Sequence, residues 1–146
     1  MTEEILRREN VIARGAATTR DDAIREAGRL LVGSGAVSEE YIASMLEREE
    51  SVSTYMGNFL AIPHGTNEAK ELIKRSALSL VRYPEPIDWN GEPVRFVVGI
   101  AGQNNEHLEI LSKIAVVFSD EDEVEKLIEA GDADGIFALL EEVNAE

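Results

Sequence analysis

The chain has no cysteine. Disulfides, thiolate metal sites and cysteine nucleophiles are thereby excluded within it, and the redox compartment stays open though compatible with cytosol. Histidine is scarce, with two residues, His64 and His107. Basic residues are outnumbered: 14 Lys and Arg stand against 29 Asp and Glu, for a net charge of −15. Nucleic acid is therefore not an expected partner, because its phosphates need basic contacts. Long apolar runs are missing too. No stretch approaches the roughly 18 apolar residues that a membrane-spanning helix needs. The opening Met1-Thr2-Glu3-Glu4-Ile5-Leu6-Arg7-Arg8 has no signal-peptide core. A soluble, cytoplasmic protein with no direct membrane insertion is expected.

What is present points to a globular domain. Of the 146 residues, 44% are apolar, which separates the chain from disordered sequences. This length suits one domain, residues 1–146. It lets about two-thirds of the unfolded surface be buried without covalent staples. The acidic balance serves solubility and also suits encounter with a basic protein partner.

Periodicity gives the order of elements. Val11 to Ala13 reads as a first short strand. Thr18-Thr19-Arg20-Asp21-Asp22 is a helix start, with a hydroxyl cap and acids in the first turn. Ala23, Ile24, Ala27, Leu30 and Leu31 follow at helical spacing until Gly33-Ser34-Gly35. Ser38 is the expected cap of a second helix, with Tyr41, Ile42, Met45 and Leu46 as its apolar face and Arg48 in its last turn. Phe59 to Ile62 reads as a buried strand, and Asn67-Glu68-Ala69-Lys70 as a turn or short helix. Ser76 to Tyr83 is a strand closed by Pro84-Glu85-Pro86; a loop through Trp89-Asn90-Gly91 leads to the strand Val94 to Ala101. That last run is apolar throughout, as in a strand covered on both faces. Asn104 is the expected cap of a further helix, buried through Leu108, Leu111, Ile114, Ala115 and Phe118. Two short acidic helices end the chain, one carrying Val124, Leu127 and Ile128, the other Ile136, Phe137, Leu139, Leu140 and Val143. The alternation predicts an α/β fold: a mixed, mostly parallel sheet in a single domain, with helices on both faces.

The candidate chemistry gathers at Gly57-Asn58-Phe59-Leu60-Ala61-Ile62-Pro63-His64-Gly65-Thr66. Pro63 has no N–H to extend a ladder, and Gly65 allows backbone angles closed to other residues, so His64 sits at a turn past a strand's carboxyl end. Sites in open α/β sheets lie at such ends. His107 follows the core strand Val94 to Ala101 and falls in a helix's first turn, where the dipole favours anions and a neutral imidazole. Arg48 offers a fixed positive charge. Two imidazoles, an arginine and a helix N-terminus make a candidate phosphate site. An inert loop histidine, and an arginine paired with neighbouring glutamates, remain open alternatives on this reading. A two-histidine metal site has no supporting short spacing, and neither a Gly-x-Ser-x-Gly elbow nor a Walker A loop is present.

The segment 57–66 resembles the phosphorylation-site segment of enzyme IIA proteins of the bacterial phosphoenolpyruvate:sugar phosphotransferase system, in the mannitol/fructose branch and most closely the mannitol type. Met45-Leu46-Glu47-Arg48-Glu49 resembles the helix end carrying that family's active-site arginine, and Asn104-Asn105-Glu106-His107 its second active-site histidine motif. The resemblance implies that His64 is phosphorylated by phospho-HPr, with His107 hydrogen-bonding the phosphate and Arg48 stabilising its charge. It implies transfer onward to a cysteine of a IIB domain of a sugar-specific permease, with neither cofactor nor metal. A regulatory IIA homologue, phosphorylated by HPr but acting by binding a partner, is the alternative, and an unrelated metal-binding or structural α/β domain is a further one.

Overall fold

Two strands form the centre of the structure, a computed structural model that describes residues 6–102 and 106–140. They are β4 (Ala77–Trp89) and β5 (Glu92–Ala101), joined antiparallel by a two-residue turn. Asn90 and Gly91 in that turn have φ of 56° and 95°. Asn-Gly tolerates this pair of left-handed positions, and its twist matches that of the strands. β1 (Leu6–Ile12) pairs parallel with the outer side of β4. β3 (Leu60–Ala61) pairs parallel with β5, and β2 (Tyr55–Gly57) pairs antiparallel with β3. Among the described residues the sheet is mixed and five-stranded, in the order β1-β4-β5-β3-β2.

Strand alternation divides the interior in two. Leu78, Leu80, Phe96, Val98 and Ile100 point to one face. α3 (Glu106–Ser119), α4 (Glu121–Glu129) and α5 (Ala133–Leu139) cover it with Ile110, Ile114, Val124, Leu127 and Ile136. Ala77, Val81, Val97 and Ala101 point to the other, under Ile24, Ala27 and Leu31 of α1 (Arg20–Gly33) and Tyr41 and Met45 of α2 (Glu40–Ser51). The helices therefore flank both faces, as expected.

Several local expectations hold. Thr19 caps α1 by accepting from Asp22 N. A short 3-10 helix spans Asn67–Leu72. Others are corrected. β1 begins five residues before Val11, because Leu6 and Val11 are both buried across an irregular register that hides the period of two. Ser38 does not cap α2 through its side chain: Glu39 is the cap residue, and the Ser38 hydroxyl is buried without a hydrogen-bond partner among the described residues. Ser38 N donates to Leu72 O and Val37 bridges Ile73, so this segment is held extended. β4 does not close at Pro84 and Pro86 but runs through them to Trp89. The register shifts between Arg82 and Ile87, and at such a bulge a missing N–H costs no ladder bond. α3 buries Ile110, Ile114, Val117 and Phe118, while Leu111 and Ala115 of the expected face are only half-buried; the buried stripe is therefore turned slightly from the expected one, and the side chain of Leu108 lies outside the described residues. Asn104 and Val143 lie outside the described residues.

Candidate functional site

The chain reaches the site through a strained turn. Gly57, which ends β2, and Asn58 and Phe59, which lead into β3, have φ of 88°, 49° and 68°. A left-handed position costs a residue such as Phe59 about 1–2 kcal/mol. It is held there because Phe59 O accepts from Arg95 N and Phe96 N, both at 2.9 Å, and Asn58 Nδ2 donates to Phe118 O at 2.7 Å. The buried strand expected from Phe59 to Ile62 is thereby shortened to Leu60–Ala61.

Beyond β3 the parallel pairing with β5 persists through the loop. Ile100 N donates to Pro63 O at 3.0 Å, and His64 bridges Ile100. Pro63 lacks a donor but serves as an acceptor. His64 thus lies past a strand's carboxyl end, as the sequence predicts, and the structure adds that this strand runs parallel beside β5. Gly65 is there for a different reason from the one expected. Its φ is not left-handed; instead a Cβ would lie 2.5 Å from both Ser44 Oγ and Tyr41 Cε1. Only glycine lets the turn approach α2 this closely. The Tyr41 hydroxyl seals the contact, accepting from Gly65 N at 2.9 Å and donating to Ile100 O at 2.8 Å.

The His64 ring is partly buried, with Nδ1 2.9 Å from Ile62 O. A carbonyl can only accept, so Nδ1 carries the proton in this bond, and a neutral ring then has its lone pair on Nε2. The imidazole pKa is lowered from its ordinary value, chiefly by burial; the Ile62 bond opposes this, the Arg48 charge adds to the lowering, and the Glu49 charge opposes it. At neutral pH the ring is neutral.

Arg48, in the last turn of α2, donates Nη1 to Val52 O at 2.7 Å. It forms no ion pair with a neighbouring glutamate among the described residues, so that open alternative does not describe it. The structure brings its charge close enough to be felt at His64. His107 has its backbone in the first turn of α3, which follows β5, the strand beside β3. Its side chain lies outside the described residues. Among the described residues no group of three or more His, Cys, Asp or Glu could hold a metal ion.

Sequence reasoning missed the supporting residues Tyr41, Glu49, Thr54 and Trp89. One signal for Glu49 was present. It falls at positions i+4 and i+8 from Met45 and Tyr41, on the buried stripe of α2.

The profile of the family described as phosphoenolpyruvate-dependent sugar phosphotransferase system, EIIA 2, matches residues 4–143. The mannitol-specific phosphotransferase enzyme IIA component of Halalkalibacterium halodurans is 48% identical over 144 residues, covering 99% of each chain. The solved complex of Escherichia coli enzyme IIAMtl with phosphorylated enzyme IIBMtl superposes with a TM-score of 0.85 at 36% identity, covering 91% of this chain and 94% of that one. Nitrogen regulatory protein IIA-Ntr of Neisseria meningitidis has a similar structure, with a TM-score of 0.80 at 29% identity, covering 93% and 96%. On this similarity along nearly its whole length, the chain belongs to the EIIA 2 family of the phosphoenolpyruvate-dependent sugar phosphotransferase system.

Proposed function

We propose that the protein is a phosphocarrier that accepts a phosphoryl group from phospho-HPr on Nε2 of His64 and passes it to a cysteine of a IIB domain, in the cytoplasm, during mannitol uptake. The observation that carries this reading is the Nδ1 contact with Ile62 O at the end of paired parallel strands. It directs the lone pair of a neutral imidazole to Nε2. The relatives named for mannitol and the solved complex of a relative with phosphorylated IIB support the acceptor and the sugar.

The step is a displacement at phosphorus. The Nε2 lone pair forms a P–N bond as the donor's P–N bond breaks, its electron pair returning to the donor imidazole. Nδ1 keeps its proton, so no base is needed. In the second step a cysteine thiolate forms a P–S bond and the His64 P–N bond breaks. The donor is already activated, so in-line positioning and charge stabilisation suffice. Arg48 uses one N–H on Val52 O and has further donors for the equatorial oxygens. His107, at the start of α3, hydrogen-bonds the phosphoryl group.

Incubation with phosphoenolpyruvate, enzyme I and HPr is expected to place one acid-labile phosphoryl group on His64, with none on His64→Ala. Peptide mapping that finds the label on His107 would overturn the assignment. His107→Ala is expected to slow transfer with the fold retained. The similarity to a nitrogen regulatory IIA protein supports a second reading, control of a partner by binding. Discharge of the phosphorylated protein by one member of a panel of IIB domains separates the two, since a purely regulatory protein discharges onto none.

A further inference from the structure

Glu49 is a buried acid one residue from Arg48, and the chemistry above does not use it. The residue is 2% exposed, and it has no ion-pair partner among the described residues. Burying a carboxylate without a cation is costly unless its oxygens are well supplied with donors. Here three donors converge. Thr54 N and Trp89 Nε1 reach Oε2 at 2.8 and 2.9 Å, and Thr54 Oγ1 reaches Oε1 at 2.5 Å. Two of the three come from Thr54, and its carbonyl accepts from Ile62 N at 3.1 Å. The carbonyl of Ile62 in turn faces Nδ1 of His64 at 2.9 Å. An unbroken chain of contacts thus runs from the end of α2 through Thr54 and Ile62 to the imidazole.

We propose that Glu49 is a positioning residue for phosphoryl transfer, which clamps Thr54 and through it holds the Ile62 carbonyl where it fixes the orientation and tautomer of His64. The kinetic part of this inference rests on the phosphocarrier reading. The work is done by the reach and hydrogen bonds of the side chain rather than by its charge. Glutamine at this position keeps the length, accepts from Thr54 N and Trp89 Nε1, and can donate to the Thr54 hydroxyl, which then acts as acceptor. Aspartate keeps the charge but is one methylene too short to span both partners.

The crossed pair of variants tests this. The imidazole of His64 is observed by nitrogen-15 NMR at pH 7.5, and phosphorylation by phospho-HPr is timed by rapid quench, with circular dichroism to verify the fold. Glu49→Gln is expected to keep the Nδ1–H tautomer and a near-native rate. Glu49→Asp is expected to mix the two tautomers and to slow phosphorylation about tenfold or more, as small misplacements of a reacting group do. A normal tautomer and rate in Glu49→Asp overturns the proposal. So does the reverse pattern, with Glu49→Gln impaired and Glu49→Asp normal, which assigns the effect to charge. The tautomer comparison needs no phosphate donor, so it stands if the unaltered protein is not phosphorylated; that result sinks the phosphocarrier reading instead.

Discussion

At the residue scale, the environment of His64 combines opposing influences, and burial dominates them. On the phosphocarrier proposal, the lowered pKa has a consequence for rate. Protonation removes the Nε2 lone pair, and in this fold it occurs only below the ordinary value of 6.5. Phosphorylation of His64 is expected to hold its rate as pH falls through 6.5 and to drop only at lower pH, with an NMR titration of the ring giving the same midpoint. The same shift affects stability. The unfolded chain binds this proton more readily than the folded one, so the contribution is fully present above 6.5 and is lost as pH falls through the folded pKa. Arg48 acts on the same ring. Arg48→Gln is expected to raise the His64 pKa by removing a repelling charge, and to slow transfer about a hundredfold if the guanidinium binds the equatorial oxygens. A change in the pKa without a change in rate would confine Arg48 to an electrostatic role in the unphosphorylated state.

At the scale of elements, the site is a junction of α2, β3 and β5. Tyr41 makes the junction, joining the Gly65 amide to the Ile100 carbonyl through one hydroxyl. Tyr41→Phe removes both bonds and leaves a buried acceptor and a half-buried donor. This is expected to cost about 1–3 kcal/mol, readable as a lower midpoint in urea unfolding. The α2 helix and the Pro63-His64-Gly65 turn were legible in the sequence, because helical spacing and turn residues are local signals. The junction was not. Tyr41 reads as one more apolar-face residue until β5 supplies its acceptor. Trp89 reads as a loop residue because two prolines precede it. The structure shows it fully buried, since the irregular register absorbs Pro84 and Pro86 and the strand resumes beyond them. Gly65 suggested conformational freedom, but its reason is a side chain 24 positions away in sequence.

At the scale of the whole molecule, the excess of 29 acidic over 14 basic residues bears on partners. If phospho-HPr presents a basic rim, phosphorylation at sub-saturating donor should slow about tenfold between low and high salt, through association rather than through the chemical step. Saturating rates that fall equally would place the salt effect within the complex. Composition and periodicity alone determined that this is an α/β domain with a mixed sheet between two helical layers, because strand and helix periods and the capping residue Thr19 are written in neighbouring positions. They also raised His64 and Arg48 as candidates, through Pro-His-Gly at a strand end and a cation in a helix's last turn, beside the plainer alternatives of an inert histidine and a paired arginine; the family resemblance is what gave these residues a role. Only the tertiary structure decided why that turn holds its shape. The bonds from Glu49 to Trp89, and from Tyr41 to Gly65 and Ile100, join segments distant along the chain. Such pairings leave no local pattern, so they become visible only when the sheet brings β3 and β5 together beneath α2.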